Sequence, residues 1–304
     1  MLAYTALAAL VVVDAALVGL ALRTPETTSP VPVATAPAAT SSPVAPEPAA
    51  SATGAATLPA PAYPIPASTL VSLGAEGQAM LANSGVCGGP TATSFWSEDN
   101  GREWLAQNVP APVLGTIDIT GKSAATVIGA GQDCGTAQSF TTTSSVQEWS
   151  AGVTAEAAWY YLPTATGQVG GTTRTGTSPC ERTIALVPAS NSEATLLCAT
   201  GSVLNTTNGG STWRSGGVLL DARAIAALSP TSLVALQTRP DCPGTGVSLS
   251  ANNGSTWTPG ACLTDFDASG PVGLDTQGTR VLAVAANGRS FLSEDAGATF
   301  TSLS

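Results

Sequence analysis

The feature that most restricts how this chain folds is an eight-residue segment that recurs along it. Ser97-Glu98-Asp99-Asn100-Gly101-Arg102-Glu103-Trp104 aligns with Thr206-Thr207-Asn208-Gly209-Gly210-Ser211-Thr212-Trp213 and with Ser250-Ala251-Asn252-Asn253-Gly254-Ser255-Thr256-Trp257. Ser293-Glu294-Asp295-Ala296-Gly297-Ala298-Thr299-Phe300 is a fourth copy. Thr142 to Trp149 is a degraded fifth, with Ser144 and Val146 where the others carry Asp or Asn and Gly. The chemistry of the segment is that of a tight turn. A short Asp or Asn accepts hydrogen bonds from nearby backbone amides, and Gly supplies a positive φ. The terminal aromatic ring offers a large apolar face to a neighbouring sheet.

The aromatic ends fall at 104, 149, 213, 257 and 300, so successive intervals are 45, 64, 44 and 43 residues. A period in that range is the signature of propeller blades, one four-stranded sheet per repeat. Within a repeat, apolar strands precede the segment: Thr279 to Ala285 then Arg289 to Ser293, and Ser232 to Gln237 then Gly246 to Ser250. The segment therefore belongs in the turn between the third and fourth strands. The long interval holds Ala157-Ala158-Trp159-Tyr160-Tyr161-Leu162 and a Gly- and Thr-rich stretch to Ser178, read as a lengthened outer strand plus a hairpin. Five blades follow most directly from the count; an irregular sixth between residues 150 and 180 is the alternative. The chain ends on the outer strand of the last blade, so no exchanged strand fastens the ring.

The segments resemble the Asp-box, or bacterial neuraminidase repeat, of the form Ser/Thr-x-Asp/Asn-x-Gly-x-Thr-Trp/Phe. The positions that carry the likeness are Ser97, Asp99, Gly101 and Trp104; Thr206, Asn208, Gly210 and Trp213; Ser250, Asn252, Gly254 and Trp257; and Ser293, Asp295, Gly297 and Phe300. The resemblance implies an all-β fold, a sialidase-like β-propeller. It also implies a test of glycoside hydrolysis. Sialidases of this kind use three arginines for the substrate carboxylate, a tyrosine nucleophile with a glutamate, an aspartate acid and an Arg-Ile-Pro motif. No residue here matches any of these roles, so no catalytic residue is assigned. Glu156, Tyr160 and Tyr161 are close in sequence, but alternation along a strand separates their faces. The likeness is nearer to non-enzymatic members, such as photosystem II assembly factor-like propellers, in which the ring is a platform for protein contacts.

Composition removes further classes. The chain has 304 residues, no histidine, a single lysine, Lys122, and a formal net charge of −10. Ser-His-Asp and Cys-His catalysis and His-ligated zinc are excluded, and nucleic-acid binding lacks the clustered basic residues it needs. No cofactor motif is present. The acidic loop Asp265 to Asp267 has no calcium-binding pattern.

Upstream of the repeats, Leu2 to Leu22 is apolar apart from Asp14, and as a helix would be about 30 Å long, enough to cross a bilayer. No Lys or Arg precedes it, which favours an uncleaved transmembrane anchor over residues 1–23; a cleaved signal peptide and a secreted product are the alternative. Asp14 is either hydrated near an interface or paired with another membrane protein. Arg23 alone would place the C-terminus in the cytoplasm, but the cysteines outweigh a single charge. Residues 24–67 are dominated by Pro, Ala, Ser and Thr and read as a disordered linker. The propeller domain is residues 68–304.

Six cysteines follow, at 87, 134, 180, 198, 242 and 262, an even number downstream of an export segment. All fall near the blade ends opposite the repeated turns. The strand assignment pairs Cys180 with Cys198 and Cys242 with Cys262 within blades, and Cys87 with Cys134 between adjacent blades. That face is the candidate binding surface, with Asp133, Glu181, Arg182, Arg239 and Asp241 flanking the cysteines. The expectation is a single-pass membrane protein whose propeller lies on the extracytoplasmic side. Its expected role is a non-catalytic interaction or scaffold module for an envelope protein or membrane complex; glycan binding or a divergent glycosidase is the alternative.

Overall fold

The computed structural model describes residues 68–143, 147–163, 167–285 and 287–303. The apolar segment Leu2 to Leu22 and the linker of residues 24–67 lie outside these. Among the described residues there is no helix long and apolar enough to cross a membrane.

Each of the four complete repeated segments folds as the same local device. Its first residue, Ser97, Thr206, Ser250 or Ser293, accepts a hydrogen bond through its hydroxyl from the glycine N–H four positions on, at 2.8–3.2 Å. The same hydroxyl donates to the Asp or Asn two positions on, at 2.7–3.0 Å. That side-chain oxygen in turn accepts the backbone N–H four positions further, as Asp295 Oδ1 does from Thr299 at 2.8 Å. The glycines Gly101, Gly210, Gly254 and Gly297 have φ of 79° to 87°, and the residues before them, Asn100, Gly209, Asn253 and Ala296, are also left-handed. The segment thus satisfies most of its own backbone amides locally. The N–H of the residue before each glycine instead donates to a carbonyl in the turn between the blade's first two strands, as Asn100 does to Gly77 at 2.7 Å.

These turns join third and fourth strands, as the spacing predicts. Blade 1 is β1 (Thr69–Leu73), β2 (Ala79–Asn83), β3 (Thr93–Ser97) and β4 (Leu105–Gln107). Blade 2 is β5 (Val113–Gly121), β6 (Ala124–Ala130), β7 (Gln138–Thr142) and β8 (Val153–Thr154). Blade 3 is β9 (Tyr160–Leu162), β10 (Gln168–Gly170) and β11 (Thr175–Thr177). Blade 4 is β12 (Thr183–Pro188), β13 (Ala194–Cys198), β14 (Ser202–Thr206) and β15 (Arg214–Val218). Blade 5 is β16 (Ala222–Ala227), β17 (Leu233–Thr238), β18 (Thr245–Ser250) and β19 (Thr258–Leu263). Blade 6 is β20 (Val272–Gln277), β21 (Arg280–Ala285), β22 (Ser290–Ser293) and β23 (Thr301–Ser302). Every sheet is an antiparallel meander, and the first strands of the six lie side by side around a central channel, β20 against β1.

The blade count corrects the expectation of five. Residues 160–177 form a separate three-stranded blade rather than an extension of blade 2 with a hairpin. The repeated turn is absent from this blade, so counting turns undercounts sheets by one. Its second connection is closed instead by Gly171, whose N–H donates to the Arg174 carbonyl at 2.9 Å. The aromatic run is the inner edge of this blade: Trp159 is buried and its indole donates to the Ser190 carbonyl of blade 4 at 2.9 Å.

Aromatic ends of the turns weld the sheets together. Each packs on the blade before its own: Trp149 joins the cluster of Met80 and Trp96, Trp257 that of Leu197 and Val203, and Phe300 that of Val234 and Val247. Trp213 meets Trp159 edge to face, with centroids 6.2 Å apart. For Trp104 in blade 1 the preceding blade is the last one. Its ring packs with Leu282 and Leu292, and its indole N–H donates to Ser290 Oγ at 3.3 Å. Among the described residues no strand is exchanged between blades 1 and 6. The seam is held by this contact, by the Leu73 N–H, which donates to Asp275 Oδ2 at 2.7 Å, and by Arg280 of blade 6, which donates to the Gly74 carbonyl at 3.1 Å and to Asn100 Oδ1 in blade 1.

Trp104→Ala is expected to cost about 2–4 kcal/mol, by the rule for large-to-small core changes discounted for partial exposure. Its urea midpoint should fall more than that of Leu105→Ala on an exposed site. A second expectation concerns Ala296, which stands at φ 59° where two other turns use asparagine. Ala296→Asn should stabilise by about 0.5–1 kcal/mol by relieving a left-handed alanine, read as a higher midpoint at an unchanged m-value.

Candidate functional site

The two ends of the ring differ in what they carry. The repeated turns occupy one end. At the other, where the inner strands begin, three disulfides brace the loops: Cys87–Cys134 links blades 1 and 2, Cys180–Cys198 lies at the start of blade 4, and Cys242–Cys262 lies within blade 5. Such cross-links limit loop motion and favour a preorganised surface.

A cavity of about 290 Å³ opens at this end, lined by Ser68, Thr69, Tyr161, Arg182, Thr183, Ile184, Arg223 and residues 269–272. Four of these residues also line a second cavity of about 280 Å³ that continues down the channel between the inner strands. The mouth is shaped by small irregularities in the strands. β12 and β16 each carry a register shift at their first residues, between Thr183 and Ala185 and between Ala222 and Ala224. A bulge of this kind re-aims the extra residue, and in β16 that residue is Arg223. Arg182 directly precedes β12, and both arginines are exposed. Tyr161, half-buried on β9, has its phenol pushed up by burial, an effect that hydrogen bonding to Thr183 opposes.

The five residues expected on this face divide. Arg182 lines the cavity. Arg239 is buried at 8% exposure and holds its own loop: Nε and Nη2 donate to the Asp241 carboxylate at 3.0 and 3.1 Å, and Nη1 donates to the Val247 carbonyl at 2.8 Å. Asp133 is exposed and accepts the Gly135 N–H at 3.2 Å. Glu181 is exposed next to Arg182. Arg223 has no counterpart in that set, because nothing in its sequence context distinguishes it; only the bulge and the ring bring it to the mouth.

Deeper in the channel is Asp275 on β20, and Asp118 on β5 is near enough for its charge to act on it. Burial pushes both carboxyls up, and for Asp275 the value reaches about 7, with the neighbouring charge of Asp118 adding to the shift and the Leu73 N–H opposing it. Among the described residues no group of three or more His, Cys, Asp or Glu could hold a metal ion.

No protein-family model matches the chain, and no curated protein does. Among solved structures it is similar to a GH74 xyloglucanase from Xanthomonas campestris, at 13% identity and a TM-score of 0.44 over 75% of this chain, and it spans only 45% of that enzyme. It is similar to YCF48 bound to D1 peptide, at 16% identity and a TM-score of 0.30, covering 79% of this chain and 81% of that one. The SapL1 lectin in complex with alpha methyl fucoside is a third, at 13% identity and 0.46, covering 79% and 95%. The propeller assignment rests on the six sheets of this chain and not on these likenesses.

The Asp275 geometry has a pH consequence. Its folded pKa of about 7 lies above the ordinary 3.8, so between these values the folded state holds a proton that the unfolded state has released. Stability should therefore fall as pH rises from about 4 to about 7 and level off above. Asp275→Asn, which still offers an oxygen to Leu73, should flatten this dependence and be about 2–4 kcal/mol more stable than the parent at pH 8, measured by urea unfolding at pH 4 and 8.

Proposed function

We propose that this chain is an Asp-box propeller of the cell envelope, tethered through residues 1–23 and spaced from the membrane by residues 24–67. It binds a protein partner through the disulfide-braced face and catalyses no reaction. The observation that carries this is the contrast between the two faces. The hydroxyls, amides and aromatic rings of the repeated turns are engaged in the fold. The opposite face presents loops that disulfides hold in place, around a cavity with no carboxylate in its wall. Such a cavity lacks the paired acid and base that hydrolysis requires.

Carbohydrate chemistry is the second reading, and one observation favours it. Asp118 and Asp275 are close enough in the channel to interact, with Asp275 held protonated into the neutral range. A carboxylic acid with raised pKa beside a second carboxylate is the arrangement of a glycosidase acid and its partner. The Leu73 contact gives Asp275 a structural task instead, at the seam of the ring.

Two measurements decide between them. Full-length protein purified from membranes should bring down a specific envelope protein, and charge-reversal of Glu181 and Asp133 should weaken that capture while reversal of Glu103, an exposed residue within a repeated turn, should not. Fluorogenic glycosides should show no turnover. Any turnover abolished by Asp275→Asn would overturn the binding reading in favour of catalysis.

A further inference from the structure

We propose that the channel mouth is a docking groove for a proline-rich segment of this same chain, residues 63–67. The occupant is intramolecular, so the inference stands or falls separately from the capture of an envelope partner.

Where the chain enters the ring is the first argument. Residues 63–67 lie outside the described residues, but Ser68, which follows them, is held in place. Its N–H donates to Ser84 Oγ at 2.8 Å, and its carbonyl accepts the Ser84 N–H at 2.9 Å. Ser68 and Thr69 stand both in the wall of the mouth cavity and in that of the channel below it. The residues before Ser68 therefore depart from the rim of the opening. Tethered so closely, they meet the cavity at an effective concentration of millimolar order, which lets a weak contact persist.

Surface chemistry is the second. Tyr161 and Ile184, half-buried, and the exposed Pro271 give the wall an apolar part beside the guanidinium groups of Arg182 and Arg223. The salt bridges among the described residues are Arg239 with Asp241 and Arg280 with Glu294, so no carboxylate occupies either mouth arginine. The segment Tyr63-Pro64-Ile65-Pro66-Ala67 carries what such a wall accepts: the only aromatic ring in residues 24–67, a large aliphatic side chain, two prolines and no charge. A tyrosine face attracts a guanidinium. Proline-rich segments dock in aromatic-lined grooves as polyproline II helices, a form that their prolines set in advance. Three residues per turn put Ile65 on the helix edge that Ser68 continues, with Tyr63 and Pro66 together on an adjacent edge. At ~3.1 Å per residue the five residues span about 15 Å, enough to lie across the opening.

Two experiments on the full-length chain test the proposal. With p-benzoylphenylalanine in place of Tyr63, irradiation should cross-link the segment within one chain to residues 182–184, 223 or 269–272, mapped by mass spectrometry. In the second, phenylglyoxal modifies the arginines. The double change Tyr63→Ser with Ile65→Ser should speed modification of Arg182 and Arg223 by about threefold, the equivalent of one exposed cation–π contact. Arg174, exposed and outside this cavity, should react at an unchanged rate. Leu58→Ser, further up the chain, should alter none of the three. Since the substituted residues precede the ring, the variants should melt as the parent does. A synthetic peptide of residues 57–67, added at millimolar concentration, should return the double variant to the slow rate and leave the parent unchanged. Cross-links scattered over both ends of the ring, or formed between two copies, would overturn the proposal. So would arginine rates that the double change does not move, or that the peptide does not restore. Intact shielding with no partner captured would defeat the docking reading alone.

Discussion

The ring depends on one kind of contact at every blade interface except that between blades 2 and 3, an aromatic side chain at the end of a turn pressed onto the sheet before it. Five of the six blade interfaces repeat what a linear stack of sheets would have. The sixth is different because it joins the first blade to the last, and Trp104 and Arg280 are side chains that cross it. Many closed rings are fastened by a strand exchanged between the first and last blades; here, among the described residues, blades 1 and 6 each consist of four consecutive strands. Closure thus rests on an apolar cluster that takes in one indole, its hydrogen bond to Ser290, the bond from the Leu73 N–H to Asp275, and the Arg280 guanidinium, which donates to the Gly74 and Ala75 carbonyls and to Asn100. A buried carboxyl at that seam makes the closure sensitive to protonation, since its charged form is the poorly solvated one.

Hydrogen bonding assigns separate tasks to the two ends of the propeller. In the repeated turns, Asp and Asn are interchangeable because the partner adapts. Asp295 accepts the Thr299 hydroxyl, whereas Asn208 and Asn252 donate their amides to the corresponding threonines. Those groups are satisfied internally and have little left for a ligand. At the opposite end, disulfides hold the loops, and the strand starts deviate from regular pairing where the channel opens. Irregular strand ends on a rigid frame are where side chains can be aimed at something outside the fold.

What could be read from the sequence follows from the range of the interactions involved. The turns were legible because their hydrogen bonds span two to four residues, so identity and spacing encode them directly. The period followed, and with it the propeller and the end of the ring on which the cysteines stand. Blade 3 was obscured because its inner strand has three residues and its sheet lacks the repeated turn. The 64-residue interval and the Trp159-Tyr160-Tyr161 run were its only traces.

The candidate site divides in the same way. Arg182 was marked by the cysteine beside it, but Arg239 carries the same mark and turns inward to Asp241 and Val247. Arg223 carries no mark at all. By itself the sequence determined the repeating sheets, their welding aromatics and the face that bears the cysteines, because each depends on residues near one another in the chain. Only the tertiary structure decided that there are six blades and that Arg182 and Arg223, 41 positions apart, share one opening. The closing of a ring brings together strand ends that no local rule relates.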